Sequence, residues 1–483
     1  MKLKLQAIVL LSLFFFSPVL WADMDPMSQM KDFMNNVSKQ MASMQKTIEQ
    51  QNQLINRQND KINQLENRQP QVQMAAPGEA GAQMTEDEYK KRLGDALGGA
   101  DKWLKDLKFS GDLRLRYDAQ YYDNHNTATK TPERNRFRFR LRYGFEKKLS
   151  EQTSVGFSMA TSESVQTNGI SGDQTSENQT FGNLFNYKNI WVDRAWATYI
   201  PNGAKNIGPI ENIEITGGKF KNPFLDGSTD MIWDGDVTPE GVYEKVNLKL
   251  LETPDVLVKG NLTAGQMVLK ESATHGADAE LYAFQGVLNP IFQTPLSGHP
   301  IGVKGTASYY YYRRYARASN FFLGAGSLAR GNENFDGDAT SLDTLSFNVL
   351  SFYGELQINP FGNILLRPFG EFATNANDQS GTNENNAYQI GVKLGQMKKK
   401  GDWETSYAYK RIENNSVVGA FNDSDFGNGY AGKVGSVVKF GYQLSDNVIL
   451  NGSGYFVSNL TPGTAGVLSS DQTRFQADIL WKF

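Results

Sequence analysis

The sequence predicts an all-β transmembrane barrel of about 16 antiparallel strands, preceded by an N-terminal α-helical coiled coil. Three observations support this fold class. From residue 108 onward, apolar and polar residues alternate in segments of strand length, and the connections between these segments are alternately long and short. Residues 24–69 instead repeat apolar residues every seven positions. The first two patterns are typical of a membrane-spanning barrel, and the third is typical of a coiled coil.

The first residues of the chain predict export. Lys2 and Lys4 precede an apolar stretch at residues 5–16, which is too short to cross a bilayer as a helix. Pro18 follows, and Ala22 suits the last position before a cleavage site. The alternative is a buried core helix. We interpret residues 1–22 as a signal peptide, so the chain is expected outside the cytoplasm.

Composition restricts the class of protein. The chain has no cysteine, so disulfides cannot stabilise it, and a net charge of −3 argues against a nucleic-acid-binding protein. No apolar run of transmembrane-helix length follows the signal peptide. The mean hydropathy of −0.49 is compatible with a soluble protein or with a β-barrel, because alternating strands average out as polar.

Residues 24–69 carry two apolar series of period seven, offset by three positions. This pattern predicts a coiled coil, although Gln51 and Gln58 place polar groups in its core. A single amphipathic helix packed on a domain is the alternative, and a dimer and a trimer both remain open. The predicted coiled-coil core is Met27, Met30, Met34, Val37, Met41, Met44, Ile48, Gln51, Ile55, Gln58, Ile62 and Leu65.

Residues 70–107 are expected to form a linker and a short helix, and residues 108–483 the barrel. Thr85 and Glu88 have the spacing of a capping box at the start of that helix, and Gly98 and Gly99 end it. A barrel with an even strand number has both ends on the same side of the membrane, so the coiled coil is expected in the periplasm.

Alternation divides the remaining chain into sixteen predicted strands. Odd-numbered connections are long and polar, whereas most even-numbered ones are short turns, as in outer-membrane barrels with long external loops. The connections 201–209 and 290–300 are longer than this rule expects. The aromatic run Tyr309–Tyr312 suits an interfacial girdle. The predicted strands are 108–121, 134–149, 152–164, 188–200, 210–222, 240–251, 256–270, 279–289, 301–315, 344–359, 363–375, 386–398, 402–412, 433–445, 447–459 and 471–483.

The final strand, RFQADILWKF, ends on an aromatic residue. Its apolar parity resembles the closing strand that barrel-assembly machinery recognises in bacterial outer-membrane barrels. An ordinary amphipathic strand at a chain end is the alternative. The predicted assembly signal comprises Phe475, Ile479, Trp481 and Phe483.

Residues 217–241, GGKFKNPFLDGSTDMIWDGDVTPEG, resemble the putative porin family of Gram-negative outer membranes. The Gly-Lys-Phe strand end, the Asn-Pro-Phe turn and the Trp-Asp-Gly-Asp…Pro-Glu-Gly segment carry the resemblance. A helical rod before a barrel is also similar to phosphate-selective-type porins. The resemblance implies a sixteen-stranded, often trimeric pore for passive diffusion of small hydrophilic solutes. It does not imply a particular solute.

The stretch RFRFRLRYGFE at residues 136–146 places four arginines on one face and bulky apolar side chains on the other. An arginine facing lipid at mid-bilayer costs about 2–4 kcal/mol, so these residues are expected to face the lumen. These arginines could bias the pore toward anions, or they could pair with inward acids such as Asp112, Asp118 and Glu146. The candidate pore-lining basic residues are Arg114, Arg116, Arg136, Arg138, Arg140, Arg142, Lys245, Lys249 and Arg367.

The third long connection, residues 223–239, is the expected constriction. If it folds into the pore, its acids would face the basic wall and create a transverse field. A solvated turn is the alternative, as is weak Ca²⁺ binding, although the DGD sequence lacks the rest of an EF-hand loop. The candidate constriction acids are Asp226, Asp230, Asp234, Asp236 and Glu240.

Enzymatic function is not expected. His125, His275 and His299 are isolated, and the chain has no G-x-S-x-G or Walker A motif. We expect no cofactor and no metal. The main hypothesis is an outer-membrane porin, possible partners being membrane lipid, two further copies, the assembly machinery and peptidoglycan. A structural anchor that tethers the outer membrane to the cell wall through the coiled coil is the alternative.

Overall fold

The computed structural model describes ten stretches of the chain. They are residues 106–124, 132–165, 171–182, 184–271, 278–293, 298–315, 330–332, 347–377, 383–460 and 470–483. The predicted signal peptide, the predicted coiled coil with its twelve core residues, and the predicted helix after residue 84 lie outside the described residues.

Sixteen long strands account for most of the described chain. Each begins and ends within three residues of its predicted bounds, so the predicted strand list is confirmed. The strands are β1 Leu107–Asn124, β2 Arg134–Lys148, β3 Thr153–Thr161, β4 Ile190–Tyr199, β5 Ile210–Lys219, β6 Glu240–Glu252, β7 Val256–Lys270, β8 Ala279–Phe292, β9 Ile301–Arg313, β10 Phe347–Phe361, β11 Ile364–Asn375, β12 Asn386–Gly395, β13 Trp403–Ile412, β14 Lys433–Ser445, β15 Val448–Asn459 and β16 Ser470–Lys482.

The strands form one closed antiparallel barrel. Each pairs with its neighbours in chain order, and β1 also pairs with β16 along thirteen positions, from Asp112 opposite Lys482 to Asn124 opposite Ser470. The long connection between β4 and β5 contains a short 3-10 turn, Asn202–Ala204, and no misplaced strand pair. Because the barrel closes on itself, its sixteen described strands have no free edge.

The two faces of each strand differ as the alternation predicts. Phe137 is 52% exposed on the outer face of β2, whereas its neighbours Arg136 and Arg138 are largely covered. Similar exposed apolar side chains occur along the outer faces of the other strands. Among the described residues, no helix has the length and apolarity needed to cross a bilayer.

Three connections fold into the barrel: the second loop (residues 162–189), the third loop (220–239) and the seventh loop (413–432). The third loop contacts inward side chains of strands on opposite sides of the barrel. The third loop's Asp226 reaches Lys304 on β9. Its Asp236 lies 3.7 Å from Arg140 on β2. A segment of twenty residues can contact both strands only by crossing the interior.

An apolar cluster fixes the third loop against one inner wall, so the lumen is partly packed. Trp233 is 2% exposed and its ring lies 5.5 Å from those of Tyr310 and Phe421. The girdle prediction is therefore wrong for Tyr310 and Tyr312, and it stays a prediction for Tyr309 and Tyr311. Tyr310 and Tyr312 point inward and are buried, because alternation sends them to the face opposite Tyr309 and Tyr311.

Candidate pore constriction

The third loop is held to the wall by its acids. Asp230 accepts hydrogen bonds from Lys410 on β13 at 2.7 Å and from Lys439 on β14 at 3.2 Å. At the loop's start, Asp226 pairs with Lys304 at 2.6 Å. Glu240 instead begins β6, where it is exposed and pairs with Lys219. The predicted constriction acids therefore contact several different strands of the barrel.

Main-chain contacts join the third loop to the seventh. The amide of Ser424 donates to the Asp234 carboxylate at 2.9 Å, and the amide of Asp423 donates to the carbonyl of Asp230 at 2.9 Å. The Asp423 carboxylate also pairs with Lys410 at 2.8 Å. Lys410 is thus a buried cation shared by both loops, which are positioned as one unit.

Glu371 on β11 supports the tip of the third loop. Its carboxylate accepts hydrogen bonds from the amide of Thr229 at 2.6 Å and from the hydroxyl of Ser228 at 3.1 Å. Gly227, immediately before, has a φ of +83°, and a Cβ there would lie 2.0 Å from the hydroxyl of Thr306. The loop therefore passes too close to β9 for any other residue type at this position.

The arginine wall lies on the inner faces of the adjacent strands β1 and β2, where like charges face each other directly. It comprises Arg114, Arg116, Arg136, Arg138, Arg140 and Arg142. Arg114 is opposite Arg140, and Arg116 is opposite Arg138, in the β1–β2 register. Such cross-strand pairs repel, so this arrangement requires counter-charges nearby. The counter-charges come from three sources: the same strands, the closing strand and the loops.

Strand carboxylates supply part of this charge. Asp112 binds Arg140 at 2.9 Å and Arg142 at 2.6 Å, and Asp118 binds Arg136 at 2.9 Å. Glu146, the third acid suggested from the sequence, is exposed and forms no ion pair with a described residue. Of the three acids that the sequence suggested as partners of these arginines, Asp112 and Asp118 therefore do pair with them.

Asp478 of the closing strand and Asp425 of the seventh loop supply most of the remainder. Arg116 binds Asp478 of β16 at 2.7 Å and Asp425 of the seventh loop at 3.0 Å. Glu177 of the second loop lies 3.1 Å from Arg142 and 3.6 Å from Arg140. Of the five predicted constriction acids, only Asp236 is within ion-pair distance of this wall. The wall is therefore matched by strand acids on the inward parity and by loop acids, for which the sequence has no periodic signal.

The remaining predicted basic residues lie apart from this cluster. Arg367 on β11 pairs with Glu404 of β13. Lys245 is partly exposed on β6, with no ion pair to a described residue. Lys249 is exposed near the end of β6, where it pairs with Glu252. These three do not extend the arginine wall.

Two cavities have Asp236 in their linings. One, of about 670 Å³, is lined by the second loop, the third loop and the outer ends of β7 and β8. The other, of about 540 Å³, is lined by Arg114, Arg116, Lys393 and residues of the third and seventh loops. Asp236 belongs to the lining of both cavities, and Arg140 is its nearest cation. The two cavities are therefore adjacent at a carboxylate that pairs with the arginine wall.

Protonation differs among the loop acids. Burial and the neighbouring Asp236 raise the pKa of Glu177 to about 8, against the lowering effect of the two nearby arginines. Burial and Asp236 likewise raise the pKa of Asp234 well above its usual range. In contrast, Lys410 and Lys439 overcome the effect of burial and lower the pKa of Asp230. Glu177 and Asp234 thus hold protons more tightly than the clamped Asp230.

The predicted assembly residues lie on the outer face of β16. Phe475 is 47% exposed, Ile479 39% and Phe483 62%. Main-chain bonds between Gly111 and Phe483 continue the β1–β16 pairing to the last residue. Within the described residues, no group of three or more His, Asp or Glu side chains is arranged to hold a metal ion.

Comparisons with known proteins agree with this architecture. The sequence model of a family described as "Putative porin" matches residues 127–315 and 344–479, more than half of the chain. No curated protein sequence matches significantly.

Three solved structures are similar, each at low identity. OprB of Pseudomonas putida has a TM-score of 0.47 at 13% identity, with 80% of this chain and 97% of that chain covered. OmpF of Salmonella typhi has a TM-score of 0.43 at 10% identity, covering 78% and 97%. A mutant porin of Rh. blastica has a TM-score of 0.40 at 9% identity, covering 78% and 100%.

Proposed function

The chain belongs to the putative porin family, and from this premise we propose that it is an outer-membrane channel for passive diffusion of small hydrophilic solutes. The observation that carries the proposal is the pair of cavities whose linings share Asp236. Side chains of both signs line these cavities, and such linings select solutes by size and charge distribution.

We propose only a weak anion preference for the arginine wall as a whole. Six of the eight arginines on the inner faces of β1, β2 and β16 have a carboxylate of the described residues within 4 Å. Paired charges contribute much less to the field at the pore than isolated charges. Selectivity should therefore depend on the few cations that are not paired.

Planar-bilayer recording of the purified protein tests the channel. We expect discrete conductance steps and a measurable reversal potential in a salt gradient. Protein that folds into a barrel but gives no ion-conducting steps would contradict the proposal. Changing Arg136, Arg138, Arg140 and Arg142 together to Gln tests the wall: an unchanged reversal potential would show that the wall does not set selectivity.

Oligomerisation is a second part of the proposal. Residues 24–69 are proposed to form a periplasmic coiled coil that joins three barrels, because their heptads need partner helices to bury the apolar seam. Deleting residues 24–69 should yield monomers by analytical ultracentrifugation, with the conductance of each barrel unchanged. Intact oligomers with blebbing cells would favour the alternative anchor, in which this segment contacts peptidoglycan.

The outward row ending in Phe483 is proposed to be the signal for barrel assembly. Its side chains are exposed on the outer face, where assembly machinery could contact them. Phe483→Ala should lower the amount of barrel in the outer membrane, as measured by immunoblotting of fractionated cells. The matched control is Leu444→Ala, which removes another exposed apolar side chain.

A further inference from the structure

One arginine of the inner wall differs from all its neighbours. The Arg114 guanidinium donates a hydrogen bond from Nη2 to the amide oxygen of Asn178 at 2.7 Å. No carboxylate of the described residues lies within ion-pair distance of it, and its Nε is buried without an acceptor. Arg114 also faces Arg140 across the strand pair. Arg114 is therefore a largely buried cation whose nearest acids lie beyond ion-pair distance.

A second unmatched cation lines the same cavity. Lys393 on β12 has no carboxylate of the described residues within ion-pair distance, and its ammonium lies 4.9 Å above the ring of Phe369. Both Arg114 and Lys393 belong to the lining of the 540 Å³ cavity. The ring of Tyr353, 6.4 Å from that of Phe369, adds a further aromatic surface there.

The acids of this cavity are already engaged. Asp478 and Asp425 bind Arg116, and Glu404 binds Arg367. Lys410 forms ion pairs with both Asp230 and Asp423.

Two acids of the third loop remain in the lining. Asp236 faces Arg140, and Asp234 accepts hydrogen bonds from the amides of Ser424 and Asp236. Burial raises the pKa of Asp234, which favours its neutral form. Arg114 and Lys393 are therefore the two lining cations of this cavity that have no ion pair with a described residue.

We propose that Arg114 and Lys393 form a subsite for small organic carboxylates on the path through the pore. The inference rests on the proposed channel function and names the solute class that this cavity takes. A guanidinium matches the planar geometry of a carboxylate, and the lining also includes aromatic rings, such as those of Tyr353 and Phe369, that a short carbon chain can contact.

Single-channel recording with butyrate as the probe tests the subsite. Added butyrate should reduce the chloride current of the wild-type channel in a saturable manner. Arg114→Gln should raise the half-blocking butyrate concentration about tenfold, the effect of losing one charge-assisted hydrogen bond. Lys393→Gln should act in the same direction, and Arg114→Lys should retain part of the block.

The matched control is Lys304→Gln. It also removes one positive charge from the inner wall, but Lys304 pairs with Asp226 and does not line this cavity. Its half-blocking concentration should stay within about twofold of wild type. An equal change in Arg114→Gln and Lys304→Gln would overturn the subsite, because a general field would then explain the block.

A further outcome separates the subsite from the channel itself. If the wild-type channel conducts chloride but butyrate does not reduce the current, the subsite is refuted and the channel function stands. If the folded protein gives no conductance steps, the channel function fails and the subsite with it. The Arg114→Lys variant keeps the test decisive where Arg114→Gln does not fold.

Discussion

The guanidinium of Arg116 forms two hydrogen bonds to the carboxylate of Asp478, at 2.7 and 2.8 Å, across the seam between the first and last strands. The two residues are 362 positions apart in the chain and directly opposite in the register. A neighbouring pair, Arg474 and Asp118, bridges the same seam at 2.7 and 2.9 Å. Barrel closure is thus reinforced by two bidentate ion pairs.

Asp478→Ala should weaken this closure. It leaves a buried guanidinium with Asp425 as its remaining partner, and removing one member of a buried ion pair typically costs about 3–5 kcal/mol. We expect a loss near the lower end of this range because Asp425 still contacts Arg116. Equilibrium urea unfolding in lipid vesicles measures it. Glu252→Ala, at an exposed pair with Lys249, is the control and should leave the unfolding midpoint unchanged.

Releasing the third loop should widen the pore. Asp230→Ala removes the carboxylate that connects the loop to both Lys410 and Lys439. We expect a higher single-channel conductance and faster entry of larger sugars in a liposome-swelling assay. Asp226→Ala removes a more exposed pair from the same loop and should change both quantities less. Equal effects of the two variants would show that Asp230 is not the principal clamp.

The alternation of apolar and polar residues was sufficient to predict the barrel, because every strand lies between the same two environments. Lipid outside and polar groups inside impose the same period on every strand, so each predicted end falls within three residues of the observed one. The run RFRFRLRYGFE illustrates this: its arginines face inward and Phe137 is exposed outside.

The constriction could be predicted only in part, because loop conformation depends on long-range contacts. The Asp-rich third loop was recognisable, but the partners of Asp230 are on β13 and β14, about two hundred positions later. Glu177 and Asp425 lie in loops without periodicity, so no pattern in the sequence assigned them to the arginine wall. Lys410 and Lys439 did fall on the inward parity of their strands, which is the signal that could have identified them.

Gly227→Ala should displace the third loop from β9. The added Cβ would lie 2.0 Å from the Thr306 hydroxyl, and the residue has a positive φ that alanine adopts with strain. We expect altered conductance and a lower thermal unfolding midpoint. Gly235→Ala in the same loop is the control, because its Cβ would meet nothing within 4 Å. A Gly227 variant that matches wild type in both measurements would contradict the close approach.

Channel selectivity should vary with pH through Glu177. Its pKa is raised from an ordinary 4.5 to about 8 by burial and by Asp236, so the side chain is largely neutral below pH 8 and gains a negative charge as the pH rises through this value. The new charge lies beside Arg140 and Arg142, so anion permeability should fall. Reversal potentials recorded on both sides of this pH measure the change. Glu177→Gln should abolish it, whereas Asp226→Asn should not.

The same raised pKa predicts a stability change of defined sign. Between pH 4.5 and about 8, the folded protein holds a proton on Glu177 that the unfolded chain has released. Because the folded state binds more protons in this window, its free energy of unfolding falls as the pH rises through it. Urea unfolding midpoints across the window, compared between wild type and Glu177→Gln, test this. A decline of the same slope in both proteins would assign the effect to other groups.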